Sequence, residues 1–273
     1  MHINDADFKR LRNYMQSNYG INLVQKRTLI EGRLSAIINR GGYTGFTDFL
    51  DAAFADKTGG MIDTLLTRLT TNYTYFMREE SHYRFLNEIA LPEWTSRLAS
   101  RDLRTWSAGC SSGEEPYTLA MIYAEFLGEA RRDWDAKILA TDISPKALTT
   151  AKLGVYSPEH IERLPPMWAH KYFDKQVNRS GEVTYAVKPV IKQEINFGQF
   201  NLMGSFMRFR RKFHIIFCRN VMIYFENATK RDLAEKYYNA LEPGGYLIIG
   251  QSESLSGIYD RFRTMQPSVY RKE

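Results

Sequence analysis

A loop of small residues followed by two acidic side chains is the segment of this chain best suited to hold a ligand. Residues 105–118 have the sequence TWSAGCSSGEEPYT. The apolar start predicts a buried parallel strand, and the Ala, Gly and Ser residues after it leave the backbone open to a bound molecule. Glu114, Glu115 and Pro116 suit the first turn of a helix, where acidic groups interact favourably with the helix dipole. Such a strand–loop–helix junction is typical of a nucleotide site at the carboxyl edge of an α/β sheet, although an ordinary turn shares these features.

The composition of this loop favours a cationic ligand over a phosphate. Phosphate-binding loops use Gly-x-Gly-x-x-Gly or a lysine that contacts the phosphates, and this loop has neither. Glu114 and Glu115 would repel a phosphate. A nucleoside that carries ammonium or sulfonium charge and no phosphate fits better, and S-adenosylmethionine is the candidate of this kind.

A further acidic residue stands at the end of the next predicted strand. Residues 137–142 form an apolar run that ends in Asp142, and Ser144 and Pro145 suit the N-cap and the first position of a helix. A carboxylate at the end of the second strand can accept hydrogen bonds from both ribose hydroxyls of a nucleoside. The alternative is an acid that only stabilises the start of the following helix. The spacing from the first loop favours the ribose role.

Two later apolar runs complete an alternation of strands and helices. Residues 213–220 predict a buried strand that ends in Arg219 and Asn220. Residues 241–250 predict a helix end, a tight turn and another strand. This order indicates an α/β fold with a doubly wound, mostly parallel sheet.

Length and composition agree with a globular chain that has one large and one smaller domain. The 273 residues are 44% hydrophobic and 14% aromatic, and no apolar run approaches the roughly 18 residues of a membrane span. The two cysteines form no CxxC pair and the five histidines show no ligand spacing, so we expect no metal site and a reducing, cytoplasmic location. The net charge of +6 is compatible with an acidic protein partner or with weak attraction to nucleic acid, and it does not choose between the two.

Three regions follow from the periodicity along the chain. Residues 1–70 predict a helical N-terminal domain, because apolar side chains recur at helical spacing. Residues 71–100 predict a linker and a bridging helix. Residues 101–273 carry the α/β pattern, which a small antiparallel β insert interrupts at about 157–195. The three strands predicted for the insert are residues 172–177, 182–187 and 190–195.

Four motifs occur along the chain in a defined order and spacing. They are Thr71-Asn72-x-Thr74-x-Phe76-x-Arg78-Glu79, Ser107-Ala108-x-x-Ser111-x-Gly113-Glu114-Glu115-Pro116-Tyr117, Ala140-Thr141-Asp142-Ile143 and Phe217-Cys218-Arg219-Asn220-Val221-Met222-Ile223-Tyr224-Phe225. Together they resemble the motifs of the CheR family, the glutamate O-methyltransferases of chemotaxis receptors. The resemblance covers nearly the whole chain, including the N-terminal helices, the β insert and the C-terminal run Gly250-Gln251-Ser252-Glu253-Ser254.

The resemblance implies an all-α domain joined to a class I S-adenosylmethionine-dependent methyltransferase domain. It also implies a protein-glutamate O-methyltransferase that modifies the cytoplasmic helical bundle of chemoreceptors during sensory adaptation and releases S-adenosylhomocysteine. No general base is then required, because a glutamate side chain, whose pKa in water is about 4.3, is already ionised at neutral pH.

The resemblance also implies roles for individual residues. The predicted cofactor-binding residues are Asn72, Thr74, Arg78, Gly109, Glu115, Asp142, Asn201, Leu202, Arg219 and Asn220. The predicted catalytic residues are Arg78 and Tyr224. The predicted substrate-docking residues on the N-terminal helices are Lys26, Arg27, Arg33 and Arg40.

Two other functions remain as alternatives at this point. One is a methyltransferase that acts on RNA or a small molecule, and the other is a non-catalytic S-adenosylmethionine-binding regulator. The chain has no aromatic-plus-basic RNA-binding module, so we expect no nucleic-acid partner. A C-terminal peptide of the receptor is a candidate ligand of the β insert. We expect a cytoplasmic monomer that does not insert into the membrane.

Overall fold

Four helices form a bundle at the N-terminus of the chain. The computed structural model describes the backbone of residues 1–273 and every side chain except that of Arg208. The bundle helices are α1 (Asp5–Tyr19), α2 (Arg27–Arg40), α3 (Phe46–Ala55) and α4 (Gly60–Leu69). The side chain of Asn4 caps α1 by accepting the N–H of Asp7 at 2.8 Å, and Gly20 ends the helix in the left-handed conformation.

The apolar faces of these helices meet in one core that reaches the second domain. Leu11, Ile30 and Leu65 are fully buried in it. Tyr224 and Phe225, from the C-terminal half of the chain, pack against the same core. An antiparallel bridge between Ile21 and Phe225 adds backbone contact. The bundle is therefore packed directly against the region that the last motif occupies.

An irregular segment leads from the bundle to the bridging helix. Residues 70–79 form no strand or helix. The bridging helix that follows consists of α5 (Glu80–Phe85), a π-helical turn (Leu86–Ala90) and α6 (Leu91–Arg97). Trp94 and Leu91 bury its apolar face against the second domain.

A seven-stranded sheet forms the centre of the second domain. Its strands are β1 (Thr105–Ala108), β2 (Ile138–Asp142), β6 (Ile195–Gln199), β7 (Phe213–Cys218), β8 (Leu241–Ile249), β9 (Phe262–Gln266) and β10 (Val269–Lys272). The strand order is β6-β2-β1-β7-β8-β10-β9. The first five strands in this order are parallel, and β10 pairs antiparallel with both β8 and β9. The predicted doubly wound, mostly parallel sheet is confirmed.

Helices cover the sheet and connect its strands. They are α7 (Glu114–Leu127), α8 (Pro145–Leu153), α9 (Pro158–Ile161), α10 (Pro166–Tyr172), α11 (Pro189–Lys192) and α12 (Asn227–Ala240). Ser144 caps α8 by accepting the N–H of Ala147, and Pro145 occupies the first turn. The strand β1 is buried along its whole length, as are all six residues of β7. The carboxyl ends of these parallel strands lie at one edge, where α/β proteins bind ligands.

The small antiparallel sheet exists, but one of its predicted strands is wrong. Its strands are β3 (Val155–Tyr156), β4 (Phe173–Val177) and β5 (Val183–Val187), in the order β3-β5-β4. Residues 190–195 do not supply the third strand. Pro189 instead starts the short helix α11, and Ile195 begins β6 of the main sheet.

In the part of the chain that the structure describes, no helix is both long and apolar enough to cross a membrane. Cys110 and Cys218 are buried free thiols.

Candidate functional site

A cavity lies at the carboxyl ends of the parallel strands and extends to the helical bundle. The space between its walls is about 960 Å³, part of it open to solvent. Every residue predicted to bind the cofactor or to act in catalysis lines it: Asn72, Thr74, Arg78, Gly109, Glu115, Asp142, Asn201, Leu202, Arg219, Asn220 and Tyr224. The fold thus brings residues from five separate parts of the chain to one surface.

The loop after β1 passes close to the opposite wall of the cavity. Gly109 has a φ of +109°, and a Cβ at this position would lie 2.5 Å from Cγ2 of Val221. Only glycine fits both the backbone conformation and this close approach. Ser111, with a φ of +48°, continues the turn. The loop therefore presents backbone to the cavity, as its small residues predict.

Asp142 is held rigidly at the end of β2. Its Oδ2 accepts the N–H of Ser111 at 2.8 Å, and its Oδ1 accepts the N–H of Ser144 at 2.9 Å. The N–H of Ile143 is a further backbone donor to this group. A carboxylate has about four acceptor positions, so it can still accept hydroxyl hydrogen bonds from a ligand. Burial raises the pKa of Asp142, and the backbone N–H bonds oppose that shift.

A buried guanidinium with two carboxylate partners stands behind the loop. Nη1 of Arg219 lies 3.0 Å from Oε2 of Glu115, and Nη2 lies 3.2 Å from Oε2 of Glu79. The Arg219 side chain is 2% exposed. Although burial opposes ionisation, the charge of Arg219 lowers the pKa of Glu79. Burial and the same guanidinium lower the pKa of the adjacent His82 to about 4, so that histidine is neutral at pH 7.

All five N–H donors of Arg219 have partners inside the protein. Besides Glu79 and Glu115, they reach the hydroxyl of Tyr83 at 2.8 Å and the carbonyl oxygen of Arg78. None remains to donate to a bound molecule, so Arg219 contributes charge and shape to the cavity. One guanidinium between two carboxylates leaves one unit of negative charge, which suits a cationic ligand.

The cavity floor (residues 219–224) is held by a residue that the sequence analysis did not assign. Glu253 is buried, and its Oε2 accepts the N–H groups of Asn220 at 3.0 Å and of Gly250 at 2.6 Å. Its Oε1 accepts the N–H of Ile223 at 3.1 Å. Asn220 has a φ of +58°, and this carboxylate satisfies its backbone in that turn. In the sequence, the only indication of this role is that Glu253 is the acidic residue of the C-terminal run 250–254.

The opposite side of the cavity is formed by the covering segment (residues 70–74). The hydroxyl of Tyr224 accepts the N–H of Thr71 and donates to its carbonyl oxygen, both at 3.3 Å. The hydroxyl of Ser111 donates to the carbonyl oxygen of Asn72 at 2.9 Å. Tyr73 is 67% exposed. The segment is thus joined to the rest of the site by a few side-chain bonds.

Arg78 stands at this side with most of its hydrogen-bonding capacity free. Its Nη1 donates to the carbonyl oxygen of Tyr73 at 2.9 Å, and its guanidinium lies 5.8 Å from the ring centre of Tyr75. Its other N–H groups have no partner among the described residues. Arg78 can therefore offer a planar pair of donors to a carboxylate.

The helical bundle contributes a wall of the cavity that sequence reasoning missed. Tyr19 and Ile21, at the end of α1, line the cavity beside Asn201 and Leu202. The side chain of Asn201 donates to the carbonyl oxygen of Asn18 at 2.8 Å, and its Oδ1 accepts the N–H of Met203. The bundle and the sheet domain thus meet at this end of the site. No motif marks Tyr19 or Ile21.

The predicted docking residues lie outside the cavity lining. Lys26 and Arg40 are exposed. Arg27 contacts Asp5 and the carbonyl oxygen of Ile3, within the bundle. Arg33 donates to residues at the end of α4 and to the covering segment. No cluster of three or more His, Cys, Asp or Glu side chains among the described residues could hold a metal ion.

Comparison with known proteins identifies the chain. Two CheR family models match it, the CheR methyltransferase all-alpha domain over residues 6–70 and the SAM binding domain over residues 72–271. A chemotaxis protein methyltransferase of Borreliella burgdorferi is 39% identical over 278 residues, spanning 100% of this chain and 96% of that protein. Relatives of the same description from Pseudomonas putida and Escherichia coli are 35% and 33% identical, each over 98% of this chain and over 97% and 91% of their own lengths.

The fold and the family models define an S-adenosylmethionine-dependent methyltransferase with an all-α N-terminal domain. The chain belongs to the CheR methyltransferase family, and its function is methylation in chemotaxis. These findings confirm the predicted family, fold class and cofactor. The roles assigned to individual residues, and the domain boundaries, stay predictions.

Proposed function

We propose that the chain transfers a methyl group from S-adenosylmethionine to glutamate side chains of chemoreceptors and forms glutamyl methyl esters. The observation that carries this proposal is the distribution of charge along the cavity. Asp142 and Glu115 line the cavity, and Glu115 belongs to the Glu79–Arg219–Glu115 cluster, whose net charge is negative. Arg78 lines the same cavity with free donors. The cavity therefore offers carboxylates to a cationic cofactor and a guanidinium to an anionic substrate.

The residues present fit S-adenosylmethionine. Asp142 can accept hydrogen bonds from the ribose hydroxyls, Gly109 lines the cavity, and the net negative cluster can hold an ammonium group. Asn201 and Leu202 are placed to frame the adenine. When bound, the cofactor would supply a sulfonium methyl group: a carboxylate oxygen would bond to the methyl carbon as the carbon–sulfur bond breaks, and S-adenosylhomocysteine would leave as a thioether without any proton transfer.

The protein's own contribution is then alignment and the exclusion of water. No histidine or lysine is among the described residues that line the cavity, and an ionised carboxylate needs no base. Arg78 would orient the incoming carboxylate through its planar donors. The Tyr224 hydroxyl keeps residue 71 in place beside it. Correct placement of two reactants alone can lower a barrier by several kcal/mol.

One assay distinguishes methylation of a carboxylate from the two alternative functions. We expect transfer of radiolabelled methyl groups to membranes that contain chemoreceptors, with release of labelled methanol when the product is treated with base. Label that is base-stable, or that enters RNA instead, would support the alternative methyltransferase. Binding of S-adenosylhomocysteine without any transfer would support the non-catalytic regulator.

The β insert offers a place for a second contact with the receptor. Strand β4 pairs only with β5 among the described strands, so its other edge is open, and Val177 on it is 62% exposed. An extended peptide can add to such an edge through backbone hydrogen bonds. We infer that a C-terminal receptor peptide binds here, and we expect it to compete with full receptor for the enzyme.

We further propose that the chain acts as a cytoplasmic monomer without nucleic-acid partners. The supporting observation is that every predicted cofactor-binding and catalytic residue meets in one cavity of a single chain, so the site needs no residue from a second copy. Light scattering in the presence and absence of S-adenosylhomocysteine should give the mass of one chain. A dimer that forms with the cofactor would contradict this.

A further inference from the structure

Arg33 connects an outer helix of the bundle to the covering segment of the cavity. From α2, its Nη1 donates to the carbonyl oxygens of Arg68 and Thr70, each at 3.1 Å. Its Nη2 donates to Oγ1 of Thr71 at 3.0 Å. The last carbonyls of a helix lack partners within it, and one guanidinium here satisfies the end of α4. The same group holds the first residues of the covering segment.

The covering segment is held from its other side by the residues of the site. Thr71 exchanges backbone hydrogen bonds with the hydroxyl of Tyr224, and Asn72 accepts one from Ser111. Residue 71 is therefore bonded to Arg33 through its side chain and to Tyr224 through its backbone. A continuous path of hydrogen bonds runs from α2 to the cavity.

We propose that Arg33 is a positioning residue for the cofactor cavity, because its guanidinium fixes residues 70–74 against the bound cofactor. This inference rests on the proposed assignment of the cavity as the cofactor site. It differs from a docking role in what it requires of the side chain. Docking to an acidic surface needs a positive charge, whereas the contacts of Arg33 use two separate nitrogens of one rigid plane, Nη1 for the two carbonyl oxygens and Nη2 for Oγ1 of Thr71, and the single nitrogen of a lysine cannot occupy both positions.

The substitution Arg33→Lys separates the two roles, because it keeps the charge and removes the fork. We expect S-adenosylhomocysteine, measured by calorimetry without receptor, to bind about fivefold more weakly, as loss of a net hydrogen bond implies. Amide hydrogen exchange should accelerate in residues 70–78 and stay unchanged in α1 and α3. The matched control is Arg68→Lys, at an exposed arginine beside the same segment, which should bind the ligand as the wild type does.

A second variant tests the same contact without changing any charge. Thr71→Val removes the acceptor Oγ1 and keeps the shape of the side chain, and we expect it to reproduce the weaker binding and the faster exchange. Thr71→Ser, which restores the hydroxyl, should restore both. Melting temperatures measured without ligand identify any variant that fails to fold.

Normal affinity and normal exchange in both Arg33→Lys and Thr71→Val would overturn the positioning role. Asp142→Ala, measured in parallel, distinguishes this failure from a failure of the proposed site. If Asp142→Ala weakens binding but Arg33→Lys and Thr71→Val do not, the cavity holds the cofactor and Arg33 does not position the covering segment. If Asp142→Ala also has no effect, the assignment of the cavity is wrong.

Discussion

The floor of the cavity and its covering segment are held by different kinds of contact. The floor continues from the buried strand β7, and its backbone N–H groups bond to the buried carboxylate of Glu253. The covering segment forms no strand or helix. Apart from the backbone bond of Thr70 to Leu66 at the end of α4, it is held by side-chain bonds from Arg33, Tyr224, Ser111 and Arg78. Buried networks open only with the core, whereas isolated contacts near the surface break locally. We therefore expect the floor to set the geometry of the site and the covering segment to govern ligand exchange.

The largest effect is expected on the rigid side, from Asp142→Ala. Loss of two charge-assisted hydrogen bonds to the ribose, each worth about 1.5–3 kcal/mol, should weaken S-adenosylhomocysteine binding by about a hundredfold. Calorimetry measures this directly. Because Asp142 also anchors Ser111 and Ser144, Asp142→Asn serves as the milder variant, with smaller losses. If a folded variant binds S-adenosylhomocysteine with unchanged affinity, Asp142 does not bind the ribose.

Glu253→Gln tests whether the buried carboxylate of Glu253 stabilises the cavity floor. An amide keeps one acceptor oxygen, so at least one backbone N–H that Glu253 now binds would lose its partner in a buried place. We expect the free energy of unfolding to fall by about 2 kcal/mol in urea titrations. Glu88→Gln, at an exposed position in the bridging helix, is the control and should leave it unchanged. Equal stability of the two variants would show that Glu253 does not hold the floor.

Arg78→Ala and Tyr224→Phe test the covering side of the comparison. We expect Arg78→Ala to lower kcat for receptor methylation about tenfold, as loss of one charged contact to the carboxylate implies. Tyr224→Phe should lower kcat only about threefold, because the hydrogen bonds between its hydroxyl and Thr71 are long and therefore weak. Melting temperatures should hardly change. Arg84→Ala, on the exposed face of α5, is the control for loss of an arginine. If Arg78→Ala or Tyr224→Phe keeps the wild-type kcat, the role assigned to that residue is wrong.

The smallest effect is expected from the exposed cations of the bundle that do not line the cavity. If Lys26 and Arg40 attract an acidic receptor, Arg40→Glu should raise KM for receptor about threefold and flatten its dependence on salt. Binding of S-adenosylhomocysteine should not change. Lys137→Glu, at the opposite end of the sheet from the cavity, is the matched charge reversal. If neither substitution changes KM for the receptor, the receptor docks on another surface, such as the β insert.

The sequence predicts the floor and the ligand loop better than it predicts the covering side. The loop after β1 and the residues after β7 are contiguous motifs in which residue type and position carry the information together. By contrast, the bond from Arg33 to Thr71 and the wall residue Tyr19 arise when the bundle packs on the sheet domain. No local pattern contains such contacts, so Arg33 was interpreted only as a surface charge.

The error in the β insert has a local physical cause. The third strand is only Val155 and Tyr156, which is too short to show alternation. It is placed by Gly154, whose φ of +57° turns the chain after α8 and whose carbonyl oxygen accepts the N–H of Val187 at 2.8 Å. Residues 190–195 are apolar enough for a strand, but Pro189 favours the first turn of a helix.

The wall that Tyr19 and Ile21 give to the cavity has a consequence for how such enzymes can be recombined. Exchanging the helical bundle between relatives also exchanges part of the lining of the proposed cofactor cavity. A chimaera made to change receptor choice would therefore inherit a new cofactor affinity at the same time. If receptor choice lies in the bundle, keeping the end of α1 with the sheet domain would leave the lining of the proposed cofactor cavity unchanged in such a chimaera.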